Sequence, residues 1–216
     1  MQKSHIKSEI RNWTRLELRQ WLEKQSEQDS KIQPYRADQI FYWLYRRKVQ
    51  DFSEMANIGK PTRNLLEKHF VIGTLKRDQV QRSRDGSLKY RLMLKDDKAV
   101  ETVLMPHADH HTVCISSQVG CGMGCDFCMT GKMGLIRNLE VSEIVNQVLE
   151  AWQDLPEGAN LRNIVFRYAK FGHHGTTWSR DAESVDTDSL SSKAHILTPC
   201  ARDASFHCNT SGASAW

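Results

Sequence analysis

Apolar residues in the first third of the chain recur three and four positions apart, the spacing of amphipathic helices. Thr14-Arg15-Leu16-Glu17 reads as a capping box, in which a hydroxyl and a carboxylate three residues apart each satisfy the other's backbone N–H. Leu18, Trp21 and Leu22 fall on one face of the helix it opens. Pro34 precedes a second helix, Arg36 to Lys48, where Ile40, Trp43 and Leu44 share a face. A short third helix is expected near Ser53–Asn57. A fourth starts at Pro61 and carries Leu65, Leu66 and His69, with His69 read as a surface position. Residues 1–72 are therefore predicted to form a small helical domain.

The period then changes. Residues 74–84 and 87–95 read as strands joined at Asp85-Gly86, a strong hairpin signal, and Val100 to Leu104 continues as another, giving a hairpin segment over 73–105. Residues 112–116 read as the strand that begins the next unit, 106–166. Val141 to Trp152 is helical, with Ile144, Val145 and Val148 at helical spacing, and Asn163 to Phe166 is a second buried strand. Strand, loop, helix, strand is a βαβ start, so the fold class is α/β. Residues 167–216 show no amphipathic period and are rich in Ser and Thr; they read as an unrelated, disordered tail.

At 216 residues the chain has room for one or two domains, and a hydrophobic fraction of 39% separates it from disordered compositions. No apolar run reaches membrane-spanning length, and Met1 to Arg11 lacks an apolar signal region, so a protein without membrane contact is expected. The net charge of +4 hides an asymmetry. Residues 1–100 hold 22 Lys+Arg against 13 Asp+Glu, whereas residues 101–216 hold 8 against 13. Arg46-Arg47-Lys48 and Lys76, Arg77, Arg82 and Arg84 concentrate the positive charge, a surface that suits RNA, although on charge alone the solvated-face reading prevails.

Candidate chemistry is concentrated in Val119-Gly-Cys-Gly-Met-Gly-Cys-Asp-Phe-Cys128, which spaces Cys121, Cys125 and Cys128 as C-x3-C-x2-C. Three thiolates on a glycine-rich loop can hold three irons of a 4Fe-4S cluster and leave the fourth iron open to a substrate. Met123, Phe127 and Met129 would limit solvent at such a site. Structural zinc is the alternative; it wants four ligands, and the fourth would come from Cys114, His110 or His111. A disulfide framework is disfavoured, because three local cysteines leave one over.

The segments around the loop carry a wider likeness. Thr112-Val-Cys-Ile-Ser-Ser-Gln-Val-Gly-Cys121 enters it and Thr130-Gly-Lys-Met-Gly-Leu-Ile-Arg-Asn-Leu139 leaves it; Arg36 to Tyr45, Asp51-Phe52 to Met55, Asp85 to Tyr90 and Glu101-Thr102-Val103 add to the set. Together, over about residues 33–166, they closely resemble the radical SAM methyltransferases that modify 23S rRNA and some tRNAs at adenine C2, a family related to the C8 methyltransferases. The resemblance implies the start of a partial (β/α)6 barrel, a 4Fe-4S cluster and S-adenosyl-L-methionine (SAM) as cofactors, and RNA as partner. It also implies an electron donor such as flavodoxin or ferredoxin, a monomer, and a cytoplasmic location. Cys121, Cys125 and Cys128 match the cluster ligands. Phe127, between two of the ligands, is placed to lie against the SAM adenine, while Glu101 matches a proton acceptor and Cys114 a thiol that resolves a covalent enzyme–RNA adduct. Packing roles stand beside these for Phe127 and Cys114, and a strand-edge carboxylate for Glu101. Lys132 and Arg137 suit phosphate or the SAM carboxylate as readily as solvent.

The likeness breaks after Ile164-Val165-Phe166. A Gly-Met-Gly-Glu-Pro type SAM motif is expected there, and the chain reads Arg167-Tyr-Ala-Lys-Phe-Gly-His-His-Gly175 instead. Neither Cys200 nor Cys208 sits in the context of the family's methyl-carrying cysteine. A metal site from His173, His174, Cys200, His207 and Cys208 fits no familiar zinc spacing. The expectation is a truncated enzyme whose tail is frameshifted, mis-spliced or mispredicted; the alternative is a non-catalytic module that binds RNA, an iron–sulfur cluster or zinc. Resequencing the transcript should reveal a frame break near codon 167, and an unbroken frame encoding the same tail would refute it.

Overall fold

The computed structural model describes residues 7–126 and 128–167. A short strand, β1 (Ser8–Glu9), and a 3-10 turn (Ile10–Asn12) lead into helix α1 (Arg15–Ser26). The capping box forms as expected: the Thr14 hydroxyl accepts from Glu17 N at 3.2 Å, and Glu17 Oε2 accepts from Thr14 N at 2.7 Å. Leu18 and Leu22 are buried, whereas Trp21 is half-buried against Phe70.

The second helix differs from expectation. Helix α2 (Arg36–Phe41) is followed by a π-helical turn, Tyr42–Arg47, and the chain leaves it through Lys48 in the left-handed region at φ 56°. The wider turn absorbs one extra residue within a run of bulky aromatics. It keeps Leu44 in the core while Trp43 Nε1 donates to Asn57 Oδ1. The expected helix at 53–57 is instead a 3-10 turn, Phe52–Glu54, capped by Asp51. Helix α3 (Lys60–His69) starts with proline in its first turn and runs into β2 (Phe70–Val71), which pairs in parallel with β1. Ile10, Leu18, Ile40, Leu44, Leu66 and Phe70 centre the core of this helical module.

The remainder is built on one sheet. Strand β3 (Lys76–Arg82) turns at Asp85-Gly86 into β4 (Leu88–Met93), with Gly86 at φ 86° and Asp85 Oδ1 accepting from Ser87 N at 3.0 Å. Strand β5 (Ala99–Pro106) and β6 (His111–Ser116) continue the antiparallel run. A hairpin of β7 (Gln118–Gly120) and β8 (Leu135–Asn138), with a single helical turn α4 (Met129–Lys132) between them, precedes helix α5 (Val141–Trp152). Strand β9 (Leu161–Arg167) then lies parallel to β6, giving the order β3-β4-β5-β6-β9. The strands of segment 73–105 and of the βαβ unit thus share one continuous mixed sheet. Tyr90, Leu92, Val113, Ile115, Val148 and Ala151 centre its core against α5.

Helix α5 faces the helical module as well as the sheet, which explains its buried Ser142, Asn146, Gln147 and Glu150. Arg11, 2% exposed, is the key of that seam. Its guanidinium donates to Gly73 O at 2.8 Å, Asn146 Oδ1 at 3.0 Å and Val49 O at 3.2 Å. Burial pulls its pKa down, and neighbouring Glu9 is the leading charge opposing that shift. Beside it, Asn12 accepts from Ser142 N and donates to Glu140, both at 2.8 Å. Lys48 completes the seam with its ammonium 4.0 Å from the Trp152 ring centre.

Arg137 on β8 makes a second clamp. It donates to Asp96 in the β4–β5 turn at 2.9 and 3.1 Å, and to Glu143 of α5 at 2.8 and 2.9 Å. Burial raises the Glu143 pKa, but the bonds from Arg137 prevail and hold it below the usual carboxylate value; the same partner lowers Asp96.

Two outcomes follow. Arg11→Met should cost about 3–5 kcal/mol in urea unfolding, as expected when one partner leaves a buried charged network; a loss below about 1 kcal/mol would show the guanidinium to be solvated. Because the folded pKa values of Asp96 and Glu143 are depressed, their contribution is complete above the ordinary carboxylate range and disappears as pH falls through the lower folded values. Arg137→Met should therefore be less stable than the parent near pH 7, and the gap should narrow progressively as the pH falls below the ordinary carboxylate range. A stability gap that persists unchanged in acid would contradict this.

Candidate metal centre

The cysteine loop grows out of the C-terminal end of β6 and is closed by the β7–β8 hairpin. Gly120 adopts φ 76°, and a Cβ there would lie 2.0 Å from Gly134 O, so only glycine fits. That close approach lets Cys121 N donate to Gly134 O at 3.0 Å, sealing the base of the loop. Cys121 is buried, and Met123 N points at its Sγ at 3.5 Å. Gly124, at φ 64°, reverses the chain between the first two cysteines. Cys128 N donates to Cys125 O at 3.1 Å, and Cys128 O accepts from Lys132 N at 3.0 Å as α4 begins. Gly131 packs against Cys125, where a Cβ would come within 3.0 Å of the backbone nitrogen.

Cys125 and Cys128 are half-buried. Among the described residues, no group of three or more His, Cys, Asp or Glu side chains is gathered as a metal site. The backbone brings the three thiols onto one short, tied loop. The donor set nevertheless fits an iron–sulfur cluster. It comprises three soft sulfur ligands, glycines where the backbone turns sharply, and an N–H directed at a ligand sulfur, an interaction that tunes such clusters. Met123, Met129, Met133, Leu135 and Ile136, on the loop and the strand leaving it, are 47–69% exposed. Such apolar exposure marks surfaces that other groups cover.

Strand register places two further candidates together. Glu101 and Val103 alternate with Thr102 along β5, and Val103 pairs directly with Cys114 of β6. Thr102 faces α5, so Glu101 and Cys114 share the opposite face. Glu101 Oε1 lies 3.3 Å from Lys89 Nζ on that face, and Glu101 O accepts from Ser116 Oγ at 2.8 Å. Lys132 is exposed, whereas Arg137 is committed to Asp96 and Glu143 rather than presented to an anion. Phe127 lies outside the described residues, as do His173, His174, Cys200, His207 and Cys208 of the tail.

Gln147 was not singled out by its sequence context. Its Oε1 accepts from Thr102 Oγ1 at 2.9 Å and Ser116 N at 2.8 Å, and its Nε2 donates to Ser116 O at 2.9 Å. It clips the strand end from which the cysteine loop departs. The available signal was an amide among apolar residues, three after Ile144 and one before Val148.

Sequence comparison adds an independent line. Residues 8–72 match the Ribosomal RNA large subunit methyltransferase N-terminal domain. The Dual-specificity RNA methyltransferase RlmN of Desulfosudis oleivorans is 46% identical over 165 residues, which cover 76% of this chain and 43% of that relative. Its counterpart in Geobacter sulfurreducens is 50% identical over 132 residues, 61% of this chain and 36% of the relative. A crystal structure of a radical SAM methyltransferase from Sphaerobacter thermophilus superposes with a TM-score of 0.64 at 38% identity, covering 73% of this chain and 46% of that one. This chain spans less than half the length of these relatives. Over the part compared, sequence and fold agree: the chain is similar to the dual-specificity RNA methyltransferases RlmN and to a radical SAM methyltransferase of known structure.

Proposed function

We propose that this chain carries the radical-generating site of a methyltransferase acting at C2 of an adenine in 23S rRNA and in tRNA. The supporting observation is the sealed loop at the end of β6, which presents Cys121, Cys125 and Cys128 on one hairpin with an N–H directed at Cys121 Sγ. These three thiolates are assigned as ligands of a 4Fe-4S cluster, and Phe127 as a contact of SAM. When bound and reduced, the cluster would supply the electron that cleaves SAM to a carbon-centred radical.

The protein's own groups then have separate tasks. The Cys121 N–Gly134 O bond and the Gln147 clip hold the loop at the strand end. The Glu101 carboxylate is proposed to accept the adenine C2 proton, and the Cys114 thiol to resolve the enzyme–RNA adduct, since both project from one sheet face. The basic N-terminal half, 22 Lys+Arg against 13 Asp+Glu, supports binding of the RNA backbone. A flavodoxin- or ferredoxin-type protein is proposed as electron donor, with a cytoplasmic monomer as the working form. None of the described helices is long and apolar enough to cross a membrane.

Anaerobic reconstitution followed by electron paramagnetic resonance tests the site. The parent should take up about four irons and show a reduced-cluster signal that shifts with SAM. Cys121→Ala, Cys125→Ala and Cys128→Ala should each reduce iron content to background, and Gly120→Ala should do the same by breaking the loop's seal. A colourless protein with about one zinc per chain would overturn the cluster in favour of structural zinc. RNA binding without a cluster would favour a non-catalytic module.

A further inference from the structure

Away from the cysteine loop, the outer side of α2 and the π turn that follows it gathers aromatic rings and arginines. Ala37, Ile40 and Leu44 form the buried stripe of this segment. Tyr35 and Tyr42 stand seven residues apart on the opposite side, two helical turns or about 10 Å from each other along the axis. Their side chains are 52% and 50% exposed, and no other Phe, Tyr or Trp ring among the described residues is as open. Each ring carries a guanidinium. Arg36 Cζ lies 5.0 Å from the Tyr35 ring centre, and Arg47 Cζ 5.9 Å from that of Tyr42. Arg36 is fixed there by donating to Gln39 Oε1 at 2.6 Å and to Asn57 O at 2.9 Å. The Trp43 ring meets Tyr42 edge-on at 6.4 Å. Arg46 and Arg47 are exposed one turn further on. Asp38 is the one acidic residue from Tyr35 to Lys48, and it already accepts from Arg19 and pairs with Arg15 of α1.

A single exposed tyrosine on a surface is ordinary. Two on one helical face, each with an arginine over it and more arginines in line, is the arrangement that holds unpaired nucleotides, whose bases stack on rings while their phosphates meet cations. A duplex keeps its bases stacked inside and offers this face phosphates alone. An acidic protein offers charge without the flat rings. Resting on the RNA reading under the proposed function, we propose that this face docks a single-stranded stretch of RNA. One base stacks on Tyr42 and another on Tyr35, and the phosphates run past Arg36, Arg46 and Arg47. The RNA is thereby gripped in an unpaired region by the helical module, at a distance from the groups assigned to the chemistry.

Fluorescence anisotropy of the whole chain with a labelled short oligouridylate, and with a labelled RNA duplex of equal length, tests this. Tyr42→Ala should weaken binding of the single strand about fivefold or more, as one lost base stack requires, and Tyr35→Ala should act in the same direction. Tyr42→Phe keeps the ring face and should bind like the parent. Duplex affinity should be unchanged in all three variants. Arg47→Gln should flatten the salt dependence of single-strand binding by roughly 0.7 in the log–log slope, one phosphate contact. Both tyrosines are exposed, so the far-UV circular dichroism of the variants should match the parent. Parent-like binding of the oligouridylate by Tyr35→Ala and Tyr42→Ala would overturn the platform and leave RNA recognition to other surfaces of the chain. Equal losses on single strand and duplex would overturn it in favour of a merely charged surface. A parent that binds neither RNA would remove the RNA reading itself, a result distinct from failure of the tyrosines.

Discussion

The rest of the molecule depends on one helix that buries its polar face on two sides. α5 packs apolar residues on the sheet, as any βαβ helix does. It also presents Ser142, Asn146 and Gln147 to partners that would otherwise be unsatisfied in the interior. Buried amides are costly when half satisfied and rigidifying when fully bonded. Asn146 receives Arg11 from the helical module, and Gln147 holds the end of β6. Through these two neighbouring side chains the module, the sheet and the start of the cysteine loop are fixed to a common frame.

Much of the fold was legible because its signals are local. Thr14 and Glu17 cap a helix by a mechanism needing no tertiary structure, and Asp85-Gly86 specifies a turn through its own φ angle and Asx bond. The π turn at Tyr42–Arg47 was not legible, since the spacing of Ile40, Trp43 and Leu44 does not distinguish α from π hydrogen bonding. Nor was the β7–β8 hairpin, whose strands are three and four residues long and follow no alternation. The pairing of β1 with β2 is two residues long and joins segments sixty apart, beyond any pattern a single stretch of sequence can carry.

The candidate site divides the same way. Cys121, Cys125 and Cys128 announce themselves by spacing, and the glycines around them by chemistry. That Glu101 and Cys114 occupy one face follows only from the register of β5 on β6, which sequence does not state. Gln147 looked like one more amide on a helix; its importance lies in reaching both the N–H and the C=O of Ser116. Arg137 reads in sequence as an anion ligand or a solvated charge; in the fold Asp96 and Glu143 converge on it from other elements.

The contact between Arg11 and Asn146 spans 135 residues of sequence. A ribosome adding about 5–20 residues per second needs on the order of ten seconds to cover that separation. Throughout that interval the helical module can assemble its hydrocarbon core, but its guanidinium must stay in water until the amide that replaces that water arrives. The module should therefore close late, when α5 emerges, so that docking to the sheet and the final desolvation of Arg11 occur as one event of vectorial synthesis.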